Sequence, residues 1–303
     1  MRYYKPLLAA ILILSTIIAP VSAESNAAAF LDKSSTARAA SLGMAYVAIA
    51  NDNASIYLNP AGLSNYKGKF GLHAMVFESI ETTYSSVEYI QDFVLGSKLG
   101  IGYIGARIDG AMLTSYDDSS NQYVDTGESF GYTGDALHLT LSKQLLKKLH
   151  VGVTAKAIRE TLFNSEAFGV GADVGVLYIH PKSTLQVGAT LRNAIAPQLK
   201  WDTGTTISAP QTLAVGASYR LLKDQLLVSA ELQKQNDLDP TLHIGSEYFI
   251  SPSLPIRAGI NDKDISLGVG VIVDALLFDY ALLIPNDGDI VGNESRFSIG
   301  LNL

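Results

Sequence analysis

From Gly68 to Leu303, apolar residues recur at every second position in one segment of about ten residues after another. A period of two is the repeat of a β-strand, whose side chains point alternately to the two faces of a sheet. Phe70, Leu72, Ala74 and Val76 share one face of a first strand, and Thr83, Ser85, Val87 and Tyr89 one face of a second. The longest run, in a sixth, is Phe168, Val170, Ala172, Val174, Val176 and Tyr178. The series closes on Phe297, Ile299, Leu301 and Leu303, at about fourteen strands. Each is near the ~9–11 residues that a tilted strand needs to cross a bilayer. Alternation alone suits a soluble sandwich or barrel as well as a membrane barrel.

Three further features favour an antiparallel transmembrane β-barrel. First, the opposite phase is polar, small or charged: it holds Glu88, Lys156, Asp173, Arg192, Glu231, Glu247, Arg257 and Arg296. Gly100, Gly102, Gly169, Gly171, Gly188, Gly216, Gly245, Gly268 and Gly270 share that phase and would leave room for a plug or a lumen. Second, the long connections, 109–134, 194–209 and 285–293, all follow odd-numbered strands, while those after even-numbered strands are short. Bacterial barrels keep short turns on the periplasmic side, where both termini lie, and longer loops outside. Third, Tyr89, Tyr178, Tyr219 and Tyr248 sit in the apolar phase near the ends of even-numbered strands. One aromatic girdle is the expected result, because a phenol seats its ring in hydrocarbon and its hydroxyl among headgroups. This phasing puts Val174 on the lipid side and Asp173 in the lumen. Val174→Arg is then expected to cost more than Asp173→Asn, unless Asp173 pairs with a neighbouring strand.

The first residues read as an export signal. Arg2 and Lys5 precede an apolar run from Leu7 to Ile18, too short to span a bilayer, and Val21-Ser22-Ala23 offers the small residues that signal peptidase reads. Residues 1–23 are expected to be removed after Ala23, with the mature chain in the outer membrane of a Gram-negative-type bacterium. The formal charge of −7 becomes more negative once Arg2 and Lys5 are gone, and no basic run exists, which argues against a nucleic-acid partner. The chain has no cysteine, so disulfides and thiolate metal sites are excluded.

Residues 24–66 break the alternation. They are rich in Ala and Ser; Ser34 to Gly43 suits a short helix ending at Gly43, and Asn59-Pro60 suits a helix or turn start, with Asn capping and Pro at the first position. The domain reading is therefore a signal at 1–23, a separate segment at 24–66 and a barrel at 67–303.

The stretch from Ala37-Arg38-Ala39-Ala40-Ser41-Leu42-Gly43 to Tyr57-Leu58-Asn59-Pro60-Ala61-Gly62-Leu63 resembles the N-terminal segment of the PorV/PorQ family. That family belongs to a wider group similar to the long-chain fatty-acid transporters (FadL-like barrels). Asn59 to Leu63 match its Asn-Pro-Ala-Gly-Leu element, Tyr57 stands where Trp is common, Met44 replaces a second Gly, and Asn53 stands where an acidic residue is usual. The resemblance implies that 24–66 folds into the lumen as a plug, with Arg38, Gly43, Asn59, Pro60, Ala61, Gly62 and Leu63 as its motif. Read from the residues alone, Asn59–Gly62 is equally well an ordinary turn.

No catalytic constellation stands out, and no enzyme activity, cofactor or metal is expected. Gly100-Ile101-Gly102-Tyr103-Ile104-Gly105 matches the dinucleotide fingerprint, but its glycines lie inside an alternating strand with no helix after it. The five His residues fall on five segments, and no G-x-S-x-G is present. Asp117, Asp118 and Asp125, and then Asp287, Asp289 and Glu294, sit in outer loops without the ligand order of an EF-hand. The charges of mixed sign in the lumen phase are expected to pair across strands. Two functional classes follow, both with outer-membrane lipid around the wall. In one, the barrel passively transports or binds an apolar or amphipathic solute, which calls for an apolar cluster beside the plug. In the other, it docks secretion-system subunits or exported cargo for type IX secretion, which calls for an exposed partner surface and a sealed lumen.

Overall fold

Alternating segments of this length form a wall once each strand finds an antiparallel partner on both sides. The computed structural model describes residues 27–33, 35–236, 238–286 and 292–303. The expected export signal over 1–23, its cleavage point after Ala23, and the loop residues Asp287 and Asp289 lie outside the described residues. The strands are β1 (Phe70–Ser79), β2 (Thr82–Asp92), β3 (Ser97–Asp117), β4 (Gln122–Leu146), β5 (Leu149–Leu162), β6 (Ser165–Ile179), β7 (Gln186–Ile195), β8 (Gln198–Trp201), β9 (Thr206–Ser208), β10 (Thr212–Leu221), β11 (Leu226–Gln235), β12 (Thr241–Ser251), β13 (Leu254–Ile260), β14 (Asp264–Val273), β15 (Leu276–Pro285) and β16 (Glu294–Asn302). All except β8 and β9 form a closed antiparallel barrel of fourteen strands. Closure is made by β1 on β16, with Gly71 opposite Asn302 and Phe77 opposite Arg296. A closed wall satisfies every backbone N–H and C=O along the strands, which is the condition for crossing hydrocarbon.

The two phases fall as the alternation requires. Val76, Leu139, Val153, Val170, Ile244 and Leu267 point outward and are exposed, while Glu88, Thr154, Asp173 and Glu247 point inward and are buried. That is the reverse of a soluble barrel, and it leaves an apolar belt on the outside. Tyr89, Tyr178, Tyr219 and Tyr248 lie opposite Leu72, Leu149, Val228 and Leu226, within a few residues of the turns at the end that holds the C-terminus.

Two of the long connections differ from the sequence reading. The stretch 109–134 is not an irregular loop. Pairing of β2 with β3 ends at Thr83–Arg107 and pairing of β5 with β4 at Tyr132–Leu162, yet β3 and β4 stay paired out to Asp117–Gln122. Beyond the wall a hairpin has water on both faces, so its sequence carries no apolar–polar alternation; bulges at Ile108–Ala111 and Met112–Thr114 interrupt the period further. The stretch 194–209 contains the β8–β9 hairpin, which attaches to β6 through Ala167–Trp201 and buries Leu199 completely.

Candidate functional site: the barrel lumen

Residues 27–66 build the inside of the barrel from short, capped pieces. Thr36 Oγ1 accepts from the Ala39 N–H at 3.3 Å and starts the helix Ala37–Ser41. Gly43, at φ +61°, turns the chain away from it, a left-handed conformation that glycine adopts without cost. Asp52 Oδ1 accepts from Ala54 N at 2.9 Å at the start of the helix Ser55–Leu58. Asn59 then caps the 3-10 turn Pro60–Asn65 by accepting from Ala61 N at 3.1 Å, with Pro60 in the first position. These pieces are too short to hold their shape alone, so the wall must fix them.

It does so in two ways. The first is electrostatic. Arg38 clasps Glu247 of β12 with two hydrogen bonds, Nε at 2.8 Å and Nη2 at 2.9 Å, while its Nη1 donates to Asn51 and to Asp52, each at 2.8 Å. Glu247 also accepts from Arg257 Nε at 2.7 Å, and Arg257 reaches Asp279 at 2.6 Å. The result is a continuous chain, Asp52–Arg38–Glu247–Arg257–Asp279, in which each charge has a partner of opposite sign. Burial by itself would lower the Arg38 pKa, but Glu247, Tyr46 and Asp52 outweigh it and hold the guanidinium well above its ordinary value. Glu231 accepts from the N–H groups of Tyr46 and Val47, both at 2.8 Å. Tyr57 donates to Glu88 at 2.8 Å, and Glu88 pairs with His73 at 2.5 Å. Burial, with Glu88 adding to it, pushes the Tyr57 phenol well above its usual range, so it stays a donor.

The second is steric. A side chain at Gly152 would collide with the backbone of Pro60, one at Gly175 with the Asn59 side chain, one at Gly188 with the Val47 carbonyl, and one at Gly259 with Gly43. Inward glycines are therefore where the chain inside comes closest to the wall. Gly169 and Gly171 serve a different neighbour: their space is taken by Gln198 and Pro197 of the 194–209 connection.

The motif residues named from the sequence all lie in the lumen, but on different arcs. Arg38 and Gly43 contact β12 and β13, whereas Asn59, Pro60, Ala61 and Leu63 press on β3, β5 and β6. Asn59 Nδ2 donates to Val47 O at 2.7 Å and to Val176 O at 3.2 Å, tying the two arcs together. Gly62 packs against Ala50 of the same segment. The mixed lumen charges pair across strands: Lys156 meets Asp173 at 2.6 Å. Asp173 therefore has the neighbour that the sequence reading allowed for as an exception, and it also accepts from Asn193 N at 2.6 Å.

Three neighbouring spaces are found at the loop end among the described residues, one of them, of about 400 Å³, beside Lys33, Asn261, Lys263 and Arg296. A cleft of about 820 Å³ is lined by Phe30, Tyr84, Phe130, Tyr132, Trp201 and Ile207 among others. Below it, a cavity of about 60 Å³ has a polar lining that includes His138, Lys156, Asp173, Arg192 and Gln235. Ala27, Ala29 and Asp32 border both. His138 Nδ1 and Asn193 Oδ1, at the smaller cavity, are buried and have no hydrogen-bond partner among the described residues. Trp201 is the only tryptophan of the chain, and the sequence reading passed over it because it falls in a long connection. An indole in an outer connection, away from any lipid-facing phase, was the available signal.

Nucleophile chemistry finds little here. Ser64 Oγ lies 2.8 Å from His150 Nδ1, but Ser64 also bonds Ala61 O at 3.0 Å, the bonding of a turn end. No group of three or more metal-ligating side chains occurs among the described residues.

No family model matches the chain, and no curated protein matches it. Solved structures do. The toluene transporter TodX of Pseudomonas putida superposes with a TM-score of 0.64 at 13% identity, over 88% of this chain and 96% of that one. The monoaromatic hydrocarbon channel CymD gives 0.61 at 12% identity over 88% and 96%. A FadL homologue of Pseudomonas aeruginosa gives 0.63 at 11% identity over 88% and 97%. At these identities the likeness is one of architecture: the chain has the fold of these barrels.

Proposed function

We propose that this protein is an outer-membrane barrel for passive transport of an amphipathic or apolar solute, with residues 24–66 acting as the plug that controls passage. The observation that carries this reading is a pair of spaces at the loop end. An aromatic cleft in the size range of small-molecule sites shares Ala27, Ala29 and Asp32 with a smaller polar cavity that has Lys156 and Arg192 in its lining. Such a sequence of surfaces accepts an apolar body first and a polar end below it. The fold likeness to channels for toluene and monoaromatic hydrocarbons supports a solute of that general kind. An apolar cluster beside the plug was the feature expected of a transporter. The secretion-docking alternative drew on the resemblance of residues 37–63, and the open cleft favours the solute reading.

Trp201 supplies the test, since it is the one indole of the chain and lies in the wall of the cleft, where it can be excited apart from the tyrosines. Titrating the reconstituted protein with toluene, and separately with a medium-chain fatty acid, should give a saturable change in Trp201 emission that Trp201→Phe abolishes. The same solutes should enter protein-containing vesicles faster than protein-free ones. A strictly linear, non-saturating response to every solute, with entry at the protein-free rate, would refute the reading.

A further inference from the structure

The two ends of the barrel carry opposite charge. At the loop end, the β3–β4 extension alone holds Asp109, Asp117, Asp118, Asp125 and Glu128. At the turn end, Lys143, Lys147 and Lys148 flank the turn after β4, Lys182 lies after β6 and Lys223 after β10, against Asp224 and Asp274. None of these five lysines forms a salt bridge among the described residues, whereas Lys98, nearby, is already paired with Asp92 at 2.5 Å.

The lysines are interleaved with exposed apolar side chains. Leu145 and Leu146 are 56% and 66% exposed, and the neighbouring turn after β2 shows Phe93, Val94 and Leu95, the last at 85%. Turns facing water are built from small and polar residues, so this composition needs an apolar surrounding. Phase settles which surrounding. Leu137, Leu139 and Leu141 face lipid along β4, Lys143 continues that face, and the irregularity at Gln144–Leu146 then exposes Leu145 and Leu146 together at the end of the belt. A lysine placed there extends its ammonium outward to the headgroups while its stem stays in contact with apolar surface. The arc is also one-sided: the turns after β12 and β14 contain no basic residue.

We infer that the turn end of β2–β7, centred on Lys143, Lys147 and Lys148, is a binding surface for anionic phospholipid headgroups of the leaflet it enters. Continuity with the lipid-facing wall favours a lipid over a protein partner. This rests on the outer-membrane reading above, which places the turn end at the inner, phospholipid leaflet. An arc of bound anionic lipid would hold the barrel at a fixed depth and tilt.

The test uses the full chain in nanodiscs made from equal amounts of phosphatidylcholine and phosphatidylglycerol, then released into mild detergent, with retained lipids counted by native mass spectrometry. Phosphatidylglycerol should be enriched over phosphatidylcholine, by about fivefold for each lysine that reaches a headgroup. The triple variant Lys143→Gln/Lys147→Gln/Lys148→Gln should lose most of the enrichment, keeping only what Lys182 and Lys223 supply, and the corresponding triple Arg variant should keep it. Heat-dependent electrophoretic mobility verifies that each variant is a folded barrel. Parity in the unmodified protein, with insertion verified, would overturn the proposal and leave the arc to a protein partner. Enrichment undiminished in the Gln triple would overturn it as well. Failure of the unmodified chain to insert at all would instead strike the barrel reading, and this proposal with it.

Discussion

The segment inside the barrel meets the wall differently on its two sides. Toward the turns, the backbone of Val47 and of Pro60 presses on Gly188 and Gly152, with no side chain between. Toward the loops, residues 27–33 are held by polar links and border open space. There, Ala28 N donates to Glu160 at 3.1 Å, Lys33 pairs with Glu294 at 2.8 Å, and aromatic rings line the cleft alongside. The difference teaches what each half can do. Backbone against glycine has no rotamer to adjust, so that half can only stay seated or leave as a unit. Ion pairs and rings around a void can rearrange side chain by side chain, so a solute can be admitted there without unseating the rest.

Substitutions that sharpen or break this contrast can be ranked. The largest effect is expected from Arg38→Ala, which cuts the link between the segment and β12. Breaking a buried ion pair costs about 3–5 kcal/mol, and the low end applies because Arg257 still covers Glu247. Hydrogen exchange over residues 37–52 should rise while exchange in the strands stays put. Equal acceleration in the strands would mean that Arg38 holds the barrel rather than the segment.

Next come the neighbours Val174 and Asp173. Val174→Arg puts a charge on the lipid face at a cost of ~2–4 kcal/mol near the midplane. Asp173→Asn leaves Lys156, 5% exposed, without its counter-charge, so it should cost a similar amount rather than little. Adding Lys156→Met to Asp173→Asn should recover most of the loss. Reversible urea unfolding from vesicles measures all three; a cheap Asp173→Asn would show that water in the lumen screens the pair.

Smaller again is Gly188→Val, about 1–3 kcal/mol from overpacking against Val47. Gly300→Val is its control, because the nearest atom to an added Cβ there is 3.5 Å away, an ordinary contact. The first should expose the segment to protease and the second should not. Comparable is Asn59→Ala, which removes a cap worth ~1 kcal/mol together with the Nδ2 bonds to Val47 O and Val176 O. It should give brief conductance events in planar bilayers rather than a lasting change.

The wall was legible in the sequence because lipid and lumen demand opposite residues at successive positions. Phe168 to Tyr178 could hardly be anything else. Legibility ended where that demand ends. The β3–β4 extension has water on both sides, and the β8–β9 hairpin, with Leu199 and Trp201, packs by contacts no period announces. The inward glycines signalled that something comes close, but not what: Gly188 faces Val47, while Gly171 faces Pro197. Arg38 and Glu247 are 209 residues apart, and nothing local to either names the other.

If residues 24–66 close the lumen as proposed, the wall should stand without them. Deleting the segment and recording single channels in planar bilayers tests it most directly. The truncated chain should still insert, because β1 to β16 close on themselves, and it should conduct ions continuously where the full chain is nearly silent. Insertion with conductance no higher than that of the full chain would contradict the account and show that wall side chains alone fill the barrel.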